Sequence, residues 1–146
     1  MAVFQSIVVG DDGSETAELA VDLAAQIARE SKAVLHVVTA AREAGTIAAA
    51  AGGLGLPAGT DLAGRLLAEE EAAKAVAMLT SAGVDARAHV SFGDPAEVIL
   101  AVAKEVSADL IVVGSKGMHG ARRVLGSVPN TVAHAARCAV LIAKTT

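Results

Sequence analysis

A chain of 146 residues is the size of one ordinary domain, long enough to bury roughly 70% of its unfolded surface around a single core. Phe4 and Phe92 are its only aromatic residues, which argues against single-stranded nucleic acid, because sequence-tolerant binding there uses rings on which bases stack. The net charge of −4 argues against duplex DNA, which rewards a basic surface. No apolar run nears the ~20 residues of a membrane-spanning helix, the start MAVFQSIVVGDDGS lacks the pattern of a secretory signal, and the lone Cys138 has no intramolecular disulfide partner. One soluble, cytoplasmic domain over residues 1–146 is the expectation.

The first element is the run SIVVG, 6–10, nearly continuous in apolar residues, as strands are when helices cover both faces of a parallel sheet. The period then becomes helical in ETAELAVDLAAQIARE, where Leu19, Leu23 and Ile27 form an apolar stripe opposite Glu15, Glu18, Asp22, Gln26 and Arg29. A second strand, AVLHVV at 33–38, follows. The stretch 40–59 fits neither period, and its GGLGLPAG misses the dinucleotide G-x-G-x-x-G spacing because Ala58 stands in place of the last glycine. A helix is expected over 61–82, with Leu62, Leu66, Ala73 and Val76 towards the core and Glu69, Glu70 and Glu71 towards water. DARAHVSF, 85–92, alternates more and suits a sheet edge. In GDPAEVILAVAKEV, Asp94 is placed to cap a helix, Pro95 takes its first position and Glu97 completes a capping box. DLIVVG at 109–114, a helix over about 128–137 with Ser127 as a candidate N-cap, and AVLIA at 139–143 close the chain. Strands alternating with helices at this spacing imply right-handed crossovers into a doubly wound parallel sheet with helices on both faces. Such sheets bind ligands at the carboxyl ends of their strands.

Two features fall there. After the first strand stands GDDGSE, whose plain reading is a capping box of Asp12 and Glu15 around a turn at Gly13. After the fourth comes GSKGMHGARRVLGSVPN, 114–130, with four glycines, Lys116, Arg122, Arg123 and Ser127. Glycines let backbone N–H groups approach an anion, and a helix start adds partial positive charge. The alternative is a plain turn with a solvated basic face. No stretch spells the P-loop. The four histidines, His36, His89, His119 and His134, stand far apart in the chain with no metal-ligand spacing. His36 reads as a satisfied core or edge residue, and Cys138 as a small packed hydrophobe.

At these residues the chain resembles the universal stress proteins of the UspA superfamily. The similarity runs from SIVVGDDGSETAELAVDLAAQIA through GDPAEVILAVAKEVSADLIVVGSKGMHGARRVLGSVPNTV to AVLIAKTT. It implies an α/β fold of five parallel strands in the order 3-2-1-4-5, and a homodimer formed through the last strand. In the ATP-binding branch a G-x2-G-x9-G-[ST] pattern holds the phosphates and ribose, which the resemblance assigns here to Gly114, Gly117, Gly126 and Ser127. Only eight residues separate Gly117 from Gly126 in this chain. The same resemblance puts Asp12 beside the adenine or ribose, Gly10 and Asp11 along the first turn, Val37 against the adenine, and Val113 and Val128 close to the nucleotide. Asp11 would repel a triphosphate unless a Mg²⁺ ion bridged the two.

The function implied is an adenine-nucleotide-dependent stress-response regulator that passes its state to protein partners. ATP is the first candidate ligand; AMP or cyclic AMP needs fewer phosphate contacts and better tolerates Asp11 and the shortened loop. No base and no pair of carboxylates with an arginine are arranged for phosphoryl transfer, so at most slow ATP hydrolysis is expected. The competing class is an interaction module that binds no nucleotide. An enzyme of another adenine-binding α/β family ranks last.

Overall fold

The computed structural model describes residues 2–41, 61–115 and 126–144. Its elements are β1 Ser6–Gly10, α1 Glu15–Ser31, β2 Val34–Ala41, α2 Asp61–Ser81, β3 Asp85–Phe92, α3 Pro95–Glu105, β4 Leu110–Gly114, α4 Ser127–Ala135 and β5 Ala139–Ala143. The five strands form one sheet in the order β3-β2-β1-β4-β5. Every neighbouring pair is parallel, so every strand directs its carboxyl end the same way. β1 and β4 sit in the middle and are covered on both faces, which accounts for their unbroken apolar runs: Ile7, Val8, Val9, Ile111 and Val112 are wholly buried. β3 and β5 are the two sheet edges. Among the described residues no helix is long and apolar enough to cross a membrane.

Side chains alternate between two cores. Ile7, Val9, Leu35, Val37 and Val112 point to a cluster closed by Ala20, Ala24 and Ala28 of α1 and Leu79 of α2. Val8, Val38, Ile111 and Val113 point to the opposite cluster, closed by Val98, Ile99 and Val102 of α3 and Val132 of α4. Asp109 ties the two central strands together before they enter the core, its carboxylate accepting from the N–H groups of Gln5 at 2.9 Å and Ser6 at 3.2 Å.

Three sequence expectations about helices are corrected. The buried face of α1 is made of Ala17, Ala20, Val21, Ala24, Ala25 and Ala28, while Leu19 is 53% exposed. Small side chains let the helix axis approach the sheet, leaving Leu23 and Ile27 to pack on the flank. On α2 the inward residues are Ala63, Ala68, Ala72 and Leu79, and Leu62 and Leu66 are 55% and 44% exposed. An alanine-rich helix carries apolar side chains on several faces, and Leu62 and Leu66 lie off the face that the sheet covers. The cap of α1 is Ser14, whose Oγ accepts from Ala17 N at 3.2 Å, instead of a box of Asp12 and Glu15. For α3 the expected cap and first residue are found: Asp94 accepts from Glu97 N at 3.2 Å, with Pro95 in the first turn.

Candidate functional site

α1 leaves β1 towards one face of the sheet, and α4 packs on the other. The carboxyl ends of β1 and β4 are therefore a topological switch point, where neighbouring crossovers diverge and leave a crevice. Val9 pairs with Val112 and Gly10 with Val38, so Gly10, Val38 and Val113 stand at one level across three strands. The ladder continues one step further, Asp11 N donating to the Val38 carbonyl at 2.9 Å. On the other side of β4, Gly114 pairs with Ala143, and the N–H of buried Ser115 donates to the Ala143 carbonyl at 2.9 Å.

Gly10 lies directly beneath a side chain from another element. A Cβ added there would fall 2.7 Å from Cδ1 of Ile99, reaching up from α3. Beyond it, Asp11 Oδ1 accepts from Gly13 N at 2.9 Å, and Asp12 Oδ1 accepts from both the N–H and the hydroxyl of Ser14. Both are side-chain-to-backbone turns of the kind that Asp favours. Gly13 has φ +79°, and a Cβ there would come within 3.0 Å of Glu71 Oε2 on α2. The first turn is thus hydrogen-bonded within itself and ringed by carboxylates.

The start of α4 differs. Its N-cap is Gly126, not Ser127, in ordinary extended conformation at φ −62°, ψ 166°, with no side-chain cap hydrogen bond. Ser127 is the first helical residue, Val128 the second, and Pro129 has no N–H to satisfy; Asn130 N already donates to the Gly126 carbonyl at 3.1 Å. Helix geometry therefore leaves the N–H groups of Ser127 and Val128 without intrahelical acceptors, beside an exposed Ser127 hydroxyl. Two donors, one hydroxyl and the positive end of a helix make an anion acceptor.

Of the residues singled out in the sequence, Gly10, Asp11, Asp12, Val113 and Gly114 lie at the carboxyl ends of β1 and β4, and Gly126, Ser127 and Val128 open α4. Val37 is wholly buried in the cluster facing α1; its neighbour Val38 is the residue level with Gly10. Gly117, Lys116, His119, Gly120, Arg122 and Arg123 lie outside the described residues. Sequence reasoning missed Val38, Ile99 and Glu71, which reach the site from three other elements and carry no local signal.

It also set the histidines apart, whereas β2–β3 pairing brings two of them into contact. His36 Nδ1 and His89 Nε2 are 2.8 Å apart. His36 is a satisfied buried residue, and its pKa is lowered by burial, then by His89 and Arg87, against a smaller opposing effect of Asp85. Cys138 is half-buried with its thiol pKa raised, mainly by burial and further by Asp109. It is held as the neutral thiol, consistent with a packed hydrophobe. A cavity of about 330 Å³ beside it, lined by Leu100, Lys104, Ser107 and Arg137 among others, lies at the amino ends of β4 and β5, away from the switch point. Among the described residues no group of three or more His, Cys, Asp or Glu side chains is placed to hold a metal ion.

Comparison with known proteins matches residues 4–144 to the model of the universal stress protein family. The universal stress protein Rv1636 of Mycobacterium tuberculosis is 38% identical over 161 residues, spanning all of both chains. YxiE, a universal stress protein of Bacillus subtilis, is 34% identical over 148 residues, covering 97% of this chain and 100% of its own. Among solved structures, a universal stress protein in complex with cAMP superimposes with a TM-score of 0.74 at 32% identity, covering 99% of this chain and 100% of its own.

Proposed function

Because this chain belongs to the universal stress protein family, we propose that it is a regulatory binding protein for an adenine nucleotide, held between the carboxyl ends of β1 and β4. The observation that carries this reading is the start of α4. It leaves the N–H groups of Ser127 and Val128 without intrahelical acceptors, beside the Ser127 hydroxyl, and no side chain among the described residues caps it. A phosphate seated there would accept from Ser127 N, Val128 N and Ser127 Oγ, with Gly114 and Gly126 allowing close approach and Gly117 adding a further amide. The adenosine moiety would lie towards Gly10, Asp11, Asp12 and β2.

A single phosphate, as in cyclic AMP or AMP, suits this site better than three. Among the described residues the start of α4 offers two amides and one hydroxyl, enough for one phosphate group, while the carboxylates of Asp11, Asp12 and Glu71 around the first turn would repel the added charge of a triphosphate. The relative solved with cAMP, at 32% identity over nearly the whole chain, supports the same choice. ATP is the second reading, supported by the glycine pattern; it requires a Mg²⁺ ion between Asp11 and the phosphates to reverse the electrostatic sign. Calorimetric titration with cyclic AMP, AMP and ATP, with and without Mg²⁺, separates them. Tighter binding of the monophosphates, independent of Mg²⁺, is expected. Mg²⁺-dependent binding that favours ATP selects the second reading, and no binding of any nucleotide at millimolar concentration eliminates both in favour of a pure interaction module.

A further inference from the structure

β3 is the most exposed strand of the sheet and has a neighbour on one side only. Eight residue pairs join it to β2, from Val34↔Asp85 to Ala41↔Phe92. On one face α2 holds it, through the cluster that takes in Leu79, Val84 and Ala86. On the other face α3 packs chiefly on β1 and β2, and there β3 presents Arg87, His89 and Ser91, the parity opposite to Ala86. His36 shares that face with Val38, and reaches diagonally to His89. The contact is a hydrogen bond of 2.8 Å with the ring centroids 5.0 Å apart and the planes inclined at 52°. That centroid separation is near the greatest compatible with the nitrogen contact. The two nitrogens therefore meet head-on and hold a proton between them, instead of converging on a third point as the ligands of a metal would.

Such a bond needs one donor and one acceptor. A neutral pair provides them, and so does a pair carrying one extra proton on a nitrogen remote from the contact. Two protonated rings do not: both facing nitrogens then carry hydrogen, and two like charges stand in contact at a half-buried site. The charged neighbours from each element bear on this unequally. On β3, Arg87 adds to the repulsion and Asp85 offsets part of it. β1 brings no ionisable side chain between Ser6 and Gly10. On α3, Asp94, which caps it, Glu97, Lys104 and Glu105 are exposed, while Val98, Ile99 and Val102 face the sheet. The charges of α1 and α2 lie on the far side of the sheet, behind Leu35 and Val37.

We propose that the His36–His89 bond is a proton-operated latch on the edge strand, closed while at most one ring is charged and released when both are. The sign follows from linkage. His36 is held below its ordinary pKa in the closed state, so the stabilisation is complete above that ordinary value and falls as pH drops through it. Opening takes up one more proton than the closed state holds, so the opening equilibrium of β3 rises about tenfold per pH unit below roughly pH 6.5.

Amide hydrogen exchange on the full chain from pH 8 to pH 5, corrected for intrinsic rates, reads this directly. The expected result is a tenfold loss of protection per pH unit, confined to the amides of the β2–β3 ladder, with the β4 amides unchanged. The double variant His36→Gln/His89→Gln, which keeps hydrogen-bonding side chains but cannot titrate, should lose that slope. Nitrogen-resolved histidine spectra of the unaltered protein give a second readout that needs no variant: the second ring proton should arrive together with β3 opening. Protection of β3 that persists to pH 5, a slope retained in the double variant, or two charged rings with β3 still protected would each overturn the latch.

Discussion

The two helix starts beside the switch point, those of α1 and α4, follow strands of the same sheet and meet the same crevice, yet they are built oppositely. At α1 a serine caps the first turn, two aspartates fold back on the backbone, and Gly13 passes through positive φ close to the Glu71 carboxylate. Its third helical N–H, that of Ala17, is taken by the cap, and the carboxylates of Asp11, Asp12 and Glu71 surround the turn. At α4 a glycine stands at the cap, a proline removes one donor, and two N–H groups are left over. A capped start contributes stability, and an uncapped one offers binding. Nearness to the crevice alone does not distinguish them; the side-chain cap and the carboxylates around the α1 start do.

The strongest way to break this contrast is to give α4 the cap it lacks. Gly126 has a backbone that any residue adopts, so Gly126→Asp is expected to fold normally and to stabilise the helix by about a few tenths of a kcal/mol. The same carboxylate would occupy the anion position and repel phosphate. Two like charges roughly 4 Å apart near a protein surface oppose one another by about 4 kcal/mol, so nucleotide affinity should fall about a hundredfold or more. Paired urea denaturation and calorimetry check both halves. Unchanged affinity in a stable Gly126→Asp protein would move the phosphate away from α4.

Removing one hydroxyl from each start sharpens the contrast with a smaller effect. Ser14→Ala deletes the α1 cap and is expected to cost about 1 kcal/mol of stability, with nucleotide affinity nearly unchanged. Ser127→Ala deletes a hydroxyl that caps nothing. Stability should stay within about 0.5 kcal/mol, while affinity falls about tenfold or more, because a hydrogen bond to a charged group contributes roughly 1.5 to 3 kcal/mol net of its exchange with water. If the two variants lose the same quantity, whichever it is, the two helix starts are not different in kind.

How much of this was legible in the sequence follows from which signals are local. SIVVG and DLIVV read correctly as strands covered on both faces because such burial leaves an unbroken apolar run, and the Asp94–Pro95 start of α3 read correctly because its cap and first residue are neighbours in the chain. DDGSE misled by two residues, since Asp12 and Ser14 are both good caps and only the backbone path selects Ser14. Ser127 misled likewise: it stands one residue inside the helix that it was expected to cap. The inward faces of α1 and α2 were illegible because alanine is apolar enough to be buried and common enough to appear on every face. β2 runs to Ala41, three residues past the apolar run that suggested it, because pairing with β3 continues to that point. The His36–His89 contact joins residues 53 apart through strand register. Chain spacing cannot reveal such a contact, and judging the histidines by spacing set the pair apart.

The smallest expected effect addresses charge in the first turn, where the contrast with α4 is electrostatic as well as geometric. Asp11 accepts a hydrogen bond from Gly13 N through Oδ1, and asparagine offers an equivalent carbonyl oxygen, so Asp11→Asn keeps the turn and removes only the charge. The turn is exposed to solvent and salt, which limits the effect to about 0.5 to 1 kcal/mol. Without Mg²⁺, ATP binding should therefore strengthen by about two- to fivefold, cyclic AMP binding should strengthen less, and the gap between them should narrow. The direction of the change is decisive even at this size. If Asp11→Asn instead weakens ATP binding only when Mg²⁺ is present, the aspartate is a metal-bridging ligand, and the two helix starts act together on a triphosphate instead of dividing into a structural one and a binding one.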